Sequence, residues 1–337
     1  MNLPTIWFVL IAALFVGYLF LEGFDYGVGI LVPFVGRTDQ ERRAVLATIG
    51  PVWDANEVWL ITAGATIFAA FPNWYATLFS GFYLALALLL VALIIRGVAL
   101  EFRSKDDRAG WRRFWDWMIM GSSAVPALVW GIAMGNMLHG VPINRQMNFV
   151  GNFGSLINPY ALVGGLASLL LFTLHGALYL TLKAPPELSE RARKAAFRVG
   201  GLATVFYFLF VLMSYSYASL SHRLGVDPGP IPVMAGVSML AIRLFLPQRQ
   251  YGAAFAMTGL TIVLSVISVF LTLYPRVMIS TLNPHWNLTI YNASSNLYSL
   301  QVMSIVATVL LPIVLAYQAW TYWVFRRRVS LKDTRHY

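Results

Sequence analysis

Of the 337 residues, 58% are hydrophobic and only 11% are charged, whereas a water-soluble domain of this size carries about 25% charge. That excludes an ordinary soluble globular protein and makes lipid the solvent for most of the chain. The net charge of +10 does not imply nucleic acid, because the cations sit in short segments between apolar runs of membrane-spanning length, and the absence of cysteine excludes a disulfide, a thiolate metal site or an iron–sulfur centre within this chain.

A bilayer core about 30 Å thick takes about 20 apolar residues at 1.5 Å per residue. Nine runs meet that criterion, near residues 5–35, 51–71, 74–95, 114–138, 159–182, 196–218, 230–246, 252–273 and 298–325. The first has no basic flank ahead of Thr5 and no small-residue cleavage site before Glu22, so it reads as a retained helix rather than a signal peptide. The seventh is short, crowded by Pro228, Pro230 and Pro232 at its start and ended by Arg243; were it re-entrant, eight spans would remain.

Basic residues collect on the cytoplasmic side of membrane proteins. Alternate segments hold 21 of the 24 Lys and Arg residues, namely Arg37 to Arg43, Arg96 to Arg113, Lys183 to Arg198, Arg243 with Arg249, and Arg326 to Arg335, leaving only Arg145, Arg223 and Arg276 opposite. Eight spans would put the Arg326–Arg328 cluster on the wrong side. The expectation is an all-α polytopic membrane bundle of nine transmembrane helices, one domain over 1–337, with the N-terminus outside and the C-terminus cytoplasmic. The outer segments from His139 to Asn158 and from Tyr274 to Leu297 are rich in Asn, Pro and Gly, which predicts ordered turns.

Four of the fourteen acids fall at membrane depth: Glu22 and Asp25 late in the first run, Asp54 and Glu57 early in the second. Each pair is spaced i, i+3, so both carboxyls share a helix face. A carboxylate at the centre of a span costs about 2.5–3.5 kcal/mol on insertion scales, so such groups are protonated, paired or beside water. With Arg96 at the end of the third run, the topology predicts one acidic cluster near the cytoplasmic side. Two readings stay open: interhelical glue, or a proton entry path with Asp54 nearest water.

The segment Gly23-Phe24-Asp25-Tyr26-Gly27-Val28-Gly29 either packs a helix closely or lets it unwind beside a cavity. Of five histidines, His222 and His336 fall in polar ends, His285 in an outer loop and His139 at a helix end, so only His175 lies inside a span. A lone intramembrane His is more often a helix contact than an axial haem ligand, and no chain-borne metal is expected. Trp111, Trp115, Trp117, Trp320 and Trp323 read as interfacial anchors, whereas Trp59 lies beside the acidic pair.

The glycine segment, Trp53-Asp54-Ala55-Asn56-Glu57-Val58-Trp59-Leu60 and Arg96-Gly97-Val98-Ala99-Leu100-Glu101-Phe102-Arg103 closely resemble subunit II of bacterial cytochrome bd-type ubiquinol or menaquinol oxidases. So do Phe114 to Trp117, Gly135 to Pro142 and Asn158 to Leu162, in order along essentially the whole chain. The resemblance implies a haem-free, multi-pass subunit of the bacterial cytoplasmic membrane beside a subunit I that carries the quinol site, two b-type haems and one d-type haem. It further implies proton uptake through the Trp-Asp-x-Asn acid, here Asp54, with Glu57, Asp25 and Glu22 following and Arg96, Asn56 and Glu101 in support. An oxygen route at Trp59, a groove for a structural quinone or lipid and a small single-helix accessory subunit are implied in the same way. Ala55 departs from the glycine common in the family, and the outer loop after the sixth run is shorter than in some members.

A second class of function is a proton-coupled secondary transporter, which the same carboxylates and glycine-interrupted first run would suit. No paired broken helices of inverted repeats accompany them. An absorption spectrum of the purified complex separates the two, since b- and d-type haem bands belong to the oxidase.

Overall fold

The computed structural model describes residues 2–217 and 227–331; His222, Arg223, Arg335 and His336 lie outside them. Eleven α-helices are present among the described residues: α1 (Leu3–Val35), α2 (Asp39–Leu46), α3 (Trp53–Ala70), α4 (Pro72–Gly81), α5 (Tyr83–Phe102), α6 (Ala109–His139), α7 (Pro159–Lys183), α8 (Pro186–Tyr217), α9 (Ile231–Phe245), α10 (Tyr251–Leu273) and α11 (Leu297–Val324). Seven of these, namely α1, α5, α6, α7, α8, α10 and α11, are long and apolar enough to cross a membrane. The 18 residues of α3 rise about 27 Å, but Asp54 and Glu57 lower its apolarity, and the 15-residue α9 is shorter still.

The third apolar run is not one straight helix. The backbone leaves helical geometry at Phe71 (φ −137°, ψ 68°), which ends the second run, and again at Phe82 (φ −98°, ψ 17°), which divides the third into α4 and α5. Both breaks fall at buried aromatic residues with no Gly or Pro at the break position itself, so hydropathy carried no sign of the second. Likewise α8 begins at Pro186 rather than near 196: Glu187 to Lys194 is helix, about two charged turns that an apolar count passes over.

Buried α1 is the axis of the bundle, packed by α3, α6, α7 and α10. It stays helical through its glycines, so close packing, not unwinding, is their use. Gly27 and Gly176 meet backbone to backbone, and a Cβ on either would strike the opposing main chain, as expected where small residues let membrane helices approach.

At one end of the bundle α2 lies as a short polar helix. Its capping box is complete, with the Thr38 hydroxyl accepting from the Glu41 N–H while Glu41 accepts from the Thr38 N–H. Asp116, buried at the start of α6, accepts from Arg42 (2.6 Å) and Arg103 (2.6 Å), and Arg103 continues to Asp39 (2.8 Å). Glu41 receives both terminal nitrogens of Arg191 at 2.7 Å. That bidentate pairing, aided by the Arg37 and Thr38 N–H groups, holds the Glu41 carboxyl down at about 2. Burial works against ionisation of Asp39, yet Arg103 and Arg43 prevail and keep it below the usual carboxylate range. The opposite end is closed by the expected ordered turns: strands β1 (Arg276–Met278) and β2 (Leu288–Thr289) pair antiparallel, and Val141 bonds to Ile279 and Thr281.

Candidate functional site

The last turns of α1, the first turns of α3 and the far half of α5 meet inside the bundle. Arg96 reaches from α5 to Glu22 on α1 through two hydrogen bonds, Nη1 to Oε2 at 2.7 Å and Nη2 to Oε1 at 3.0 Å. The side chains are 1% and 0% exposed, so water contributes nothing to their solvation and the pair must satisfy itself. Glu57 of α3 approaches the same guanidinium at 3.2 Å, an ion pair by distance without the alignment of a hydrogen bond. The ring of Tyr26 lies 4.8 Å from the guanidinium carbon, and its hydroxyl bonds to that of Tyr18, which Trp130 also reaches at 3.2 Å.

Asp25 takes a different partner. Asn56, the third residue after Trp53 on α3, donates to Asp25 Oδ2 at 2.7 Å, while the other carboxyl oxygen is buried without a hydrogen bond. The Asn56 carbonyl accepts from Tyr322 (2.8 Å) and Gln318 (3.2 Å), both on α11, and Gln318 accepts from the Trp59 indole at 3.3 Å. Asn56 is therefore a fully buried hub joining α1, α3 and α11.

Of the residues expected from the sequence, Glu22, Asp25, Asn56, Glu57 and Arg96 come together, with Trp59 joined to Asn56 through Gln318. Asp54 is exposed one turn outside them. A groove of 630 Å³ begins at Asp54 and Glu57 and runs between α3 and α5 past Ile61, Phe68, Leu90 and Ile94. Glu101 does not join: it is exposed on α5, because five residues beyond Arg96 is about 500° of helical turn and faces elsewhere. Gln318, Tyr322, Tyr18, Tyr26 and Trp130 were not singled out by the sequence reading. Tyr26 stood within the glycine segment beside Asp25, but Gln318 lies 262 residues from Asn56, and no local pattern links them.

Among the described residues, no three His, Asp or Glu side chains converge as a metal site. His175 is a packed helix contact. Its Nδ1 meets Thr258 at 2.7 Å, its ring stacks on Phe255 (4.5 Å between centroids, 3° between planes), and its edge approaches the Phe20 backbone without a well-aligned bond to Nε2. His175 is fully buried among Phe20, Phe24 and Phe255, with no open space beside Nε2, so the residues around His175 do not fit a haem.

The family model of cytochrome bd terminal oxidase subunit II matches residues 3–325. The cytochrome bd ubiquinol oxidase subunit 2 of Bacillus subtilis is 43% identical over 336 residues, covering 100% of this chain and 99% of that protein. The cytochrome bd-I ubiquinol oxidase subunit 2 of Escherichia coli is 36% identical, covering 98% and 96%. In fold, the chain superposes on the bd oxidase structure from Geobacillus thermodenitrificans with a TM-score of 0.76 at 18% identity, over 96% of this chain and 99% of that one. On the full-length match and these identities, the chain belongs to the cytochrome bd terminal oxidase subunit II family.

Proposed function

We propose that this chain is the haem-free subunit of a quinol:oxygen oxidoreductase in the bacterial cytoplasmic membrane, and that its acidic cluster takes up protons from the cytoplasm for reduction of oxygen to water. In this reading the two b-type haems, the d-type haem and quinol oxidation belong to subunit I, which this chain stabilises through a helical interface. The relatives' names supply the quinol oxidase. The grouping of three carboxyls around one guanidinium supports the proton role.

Were Glu22, Asp25 and Glu57 all ionised, Arg96 would leave two negative charges uncompensated in a poorly solvated bundle, so bound protons complete the charge balance. Asp54, at the mouth of the groove, exchanges with water; Glu57 lies one turn deeper and Glu22 follows across Arg96. Nine spans with the N-terminus outside fit the loop charges, with α3 crossing as an acidic helix and α9 lengthened by the turn at Pro228 and by Leu246. The groove between α3 and α5 suits a quinone or lipid tail, and Trp59 borders an oxygen route. The outward face of α11 suits subunit I, beside which a single-helix accessory subunit would sit.

The bidentate Glu22–Arg96 pair favours a second, structural role for the same residues as interhelical glue. Asp54→Asn separates the two, because it removes a carboxyl that, among the described residues, makes no hydrogen bond or ion pair. Oxygen consumption per haem and proton uptake fall together, with haem content and melting temperature unchanged, if Asp54 conducts. Normal turnover per haem overturns the relay. A colourless purified complex would restore the transporter, against which the unbroken α1 already counts.

A further inference from the structure

Away from the acidic cluster, a cavity of 250 Å³ opens between α8 and α9, lined by Phe197, Gly200, Gly201 and Thr204 on one side and Ile242 and Arg243 on the other. The α8 residues recur at i, i+3, i+4 and i+7, a single helical stripe. Gly200 keeps it open, since a Cβ there would meet only the Leu174 methyls at 3.6 Å. Across Gly201 lies the guanidinium of Arg243, with Nη2 3.2 Å from where a Cβ would sit. Arg243 is exposed, and among the described residues it has no ion-pair partner.

More positive charge gathers at this mouth. The Arg193 guanidinium lies over the Phe197 ring at 5.3 Å and is held by Glu190 at 2.9 Å, while Arg249 and Lys194 add their fields at the same carboxylate. Arg193, Lys194, Arg243 and Arg249 against Glu190 leave three positive charges in excess. The interior is apolar, with Leu174, Met239 and Leu246 completing the walls. An apolar slot with a basic lip, cut between two helices at the end of the bundle where α2 lies, matches the two ends of one molecule: a hydrocarbon chain and an anionic phosphate.

We propose that the α8–α9 cavity binds an anionic phospholipid, with part of one acyl chain along the Phe197–Thr204 stripe and the phosphate received by Arg243. A guanidinium offers a phosphate two parallel N–H donors, and Lys194 and Arg249 supply the surrounding field. Free phosphate gains nothing from the apolar walls, so the membrane is the source.

The test uses the complex purified from cell membranes, stripped of lipid in detergent, then supplied separately with phosphatidylglycerol, phosphatidylcholine and inorganic phosphate. Native mass spectrometry counts retained lipid, and thermal melting reads stabilisation. In the wild type, phosphatidylglycerol is retained and raises the melting temperature more than phosphatidylcholine, and inorganic phosphate does neither. Arg243→Gln weakens phosphatidylglycerol retention about fivefold, the effect of one basic group at a membrane surface, and leaves phosphatidylcholine as it was. Gly200→Leu fills the slot without touching charge and abolishes retention of both. Equal retention of the two lipids by the wild type, an unchanged preference in Arg243→Gln, retention surviving Gly200→Leu, or stabilisation by inorganic phosphate alone each overturns the proposal.

Discussion

Arg96 and Glu22 face one another through two parallel hydrogen bonds of 2.7 and 3.0 Å, one side chain from α5 and the other from α1, and neither touches solvent. Glu22→Gln breaks the two-bonded fork and leaves Arg96 only the poorly aligned Glu57 as a close counter-charge, whereas Arg96→Gln strands buried carboxyls with no cation; the second loss is the larger, about 3–5 kcal/mol. Arg96→Lys fails for a related reason, since an ammonium cannot supply the fork. The double variant Glu22→Gln with Arg96→Gln removes both charges and recovers part of the loss. Thermal melting of the four complexes gives the coupling, and strictly additive losses would refute the pairing.

Asn56 links three helices, so Asn56→Leu, similar in size, deletes the Asp25, Gln318 and Tyr322 contacts together. Asp25 then loses its one donor. A destabilisation of about 1–3 kcal/mol for the buried acceptor left bare is expected, accompanied by faster hydrogen exchange in Leu297–Val324. Exchange rising uniformly over the bundle, rather than in α11, would show that Asn56 is not the tether.

Glu41 makes the polar end acid-sensitive. Its carboxyl is held at about 2, below the ordinary value of 4.5, so the folded state binds the proton more weakly than the unfolded chain. The resulting stability is fully present above about 4.5 and is lost as pH falls through about 2. In Glu41→Gln, melting temperature is lower at neutral pH and its decline between those two values is shallower than in the wild type. Parallel profiles for the two proteins would remove Glu41 as the source.

His175→Ala leaves all haem absorption bands in place, because the imidazole is enclosed by Phe20, Phe24 and Phe255 and bonded to Thr258. It opens a cavity and costs stability, about 3–5 kcal/mol by analogy with other truncations of large buried rings. Loss of one band at full assembly would mean that the ring serves a haem after all.

The acidic cluster was legible in the sequence because i, i+3 spacing is a local code: Glu22 with Asp25 and Asp54 with Glu57 each had to share a face, and loop charge brought both faces to one end. The capping box of α2, Thr38 followed by Glu41, is equally local but went unread, because it stood inside what hydropathy treats as a loop. What escaped was long-range or geometric. Asp116 between Trp115 and Trp117 resembled an interfacial residue until Arg42 and Arg103 were seen to converge on it. The break at Phe82 left no mark in the hydropathy, and Glu101, grouped with Arg96 by the family resemblance, is turned away by the helix.

The thin attachment of α11 bears on how the protein is made. Leu300 is its one buried residue, and its ties to the bundle are mainly polar: Trp7 to Leu300 and Ser304, Asn56 to Gln318 and Tyr322, and Lys183 to Phe325. Because the ribosome delivers this segment after the other described helices, nearly all of the buried core is already in place when Leu297 emerges. A stop codon at that point would spare the core yet strip Asn56 of both its α11 donors, so α11 completes the polar centre rather than building the fold around it.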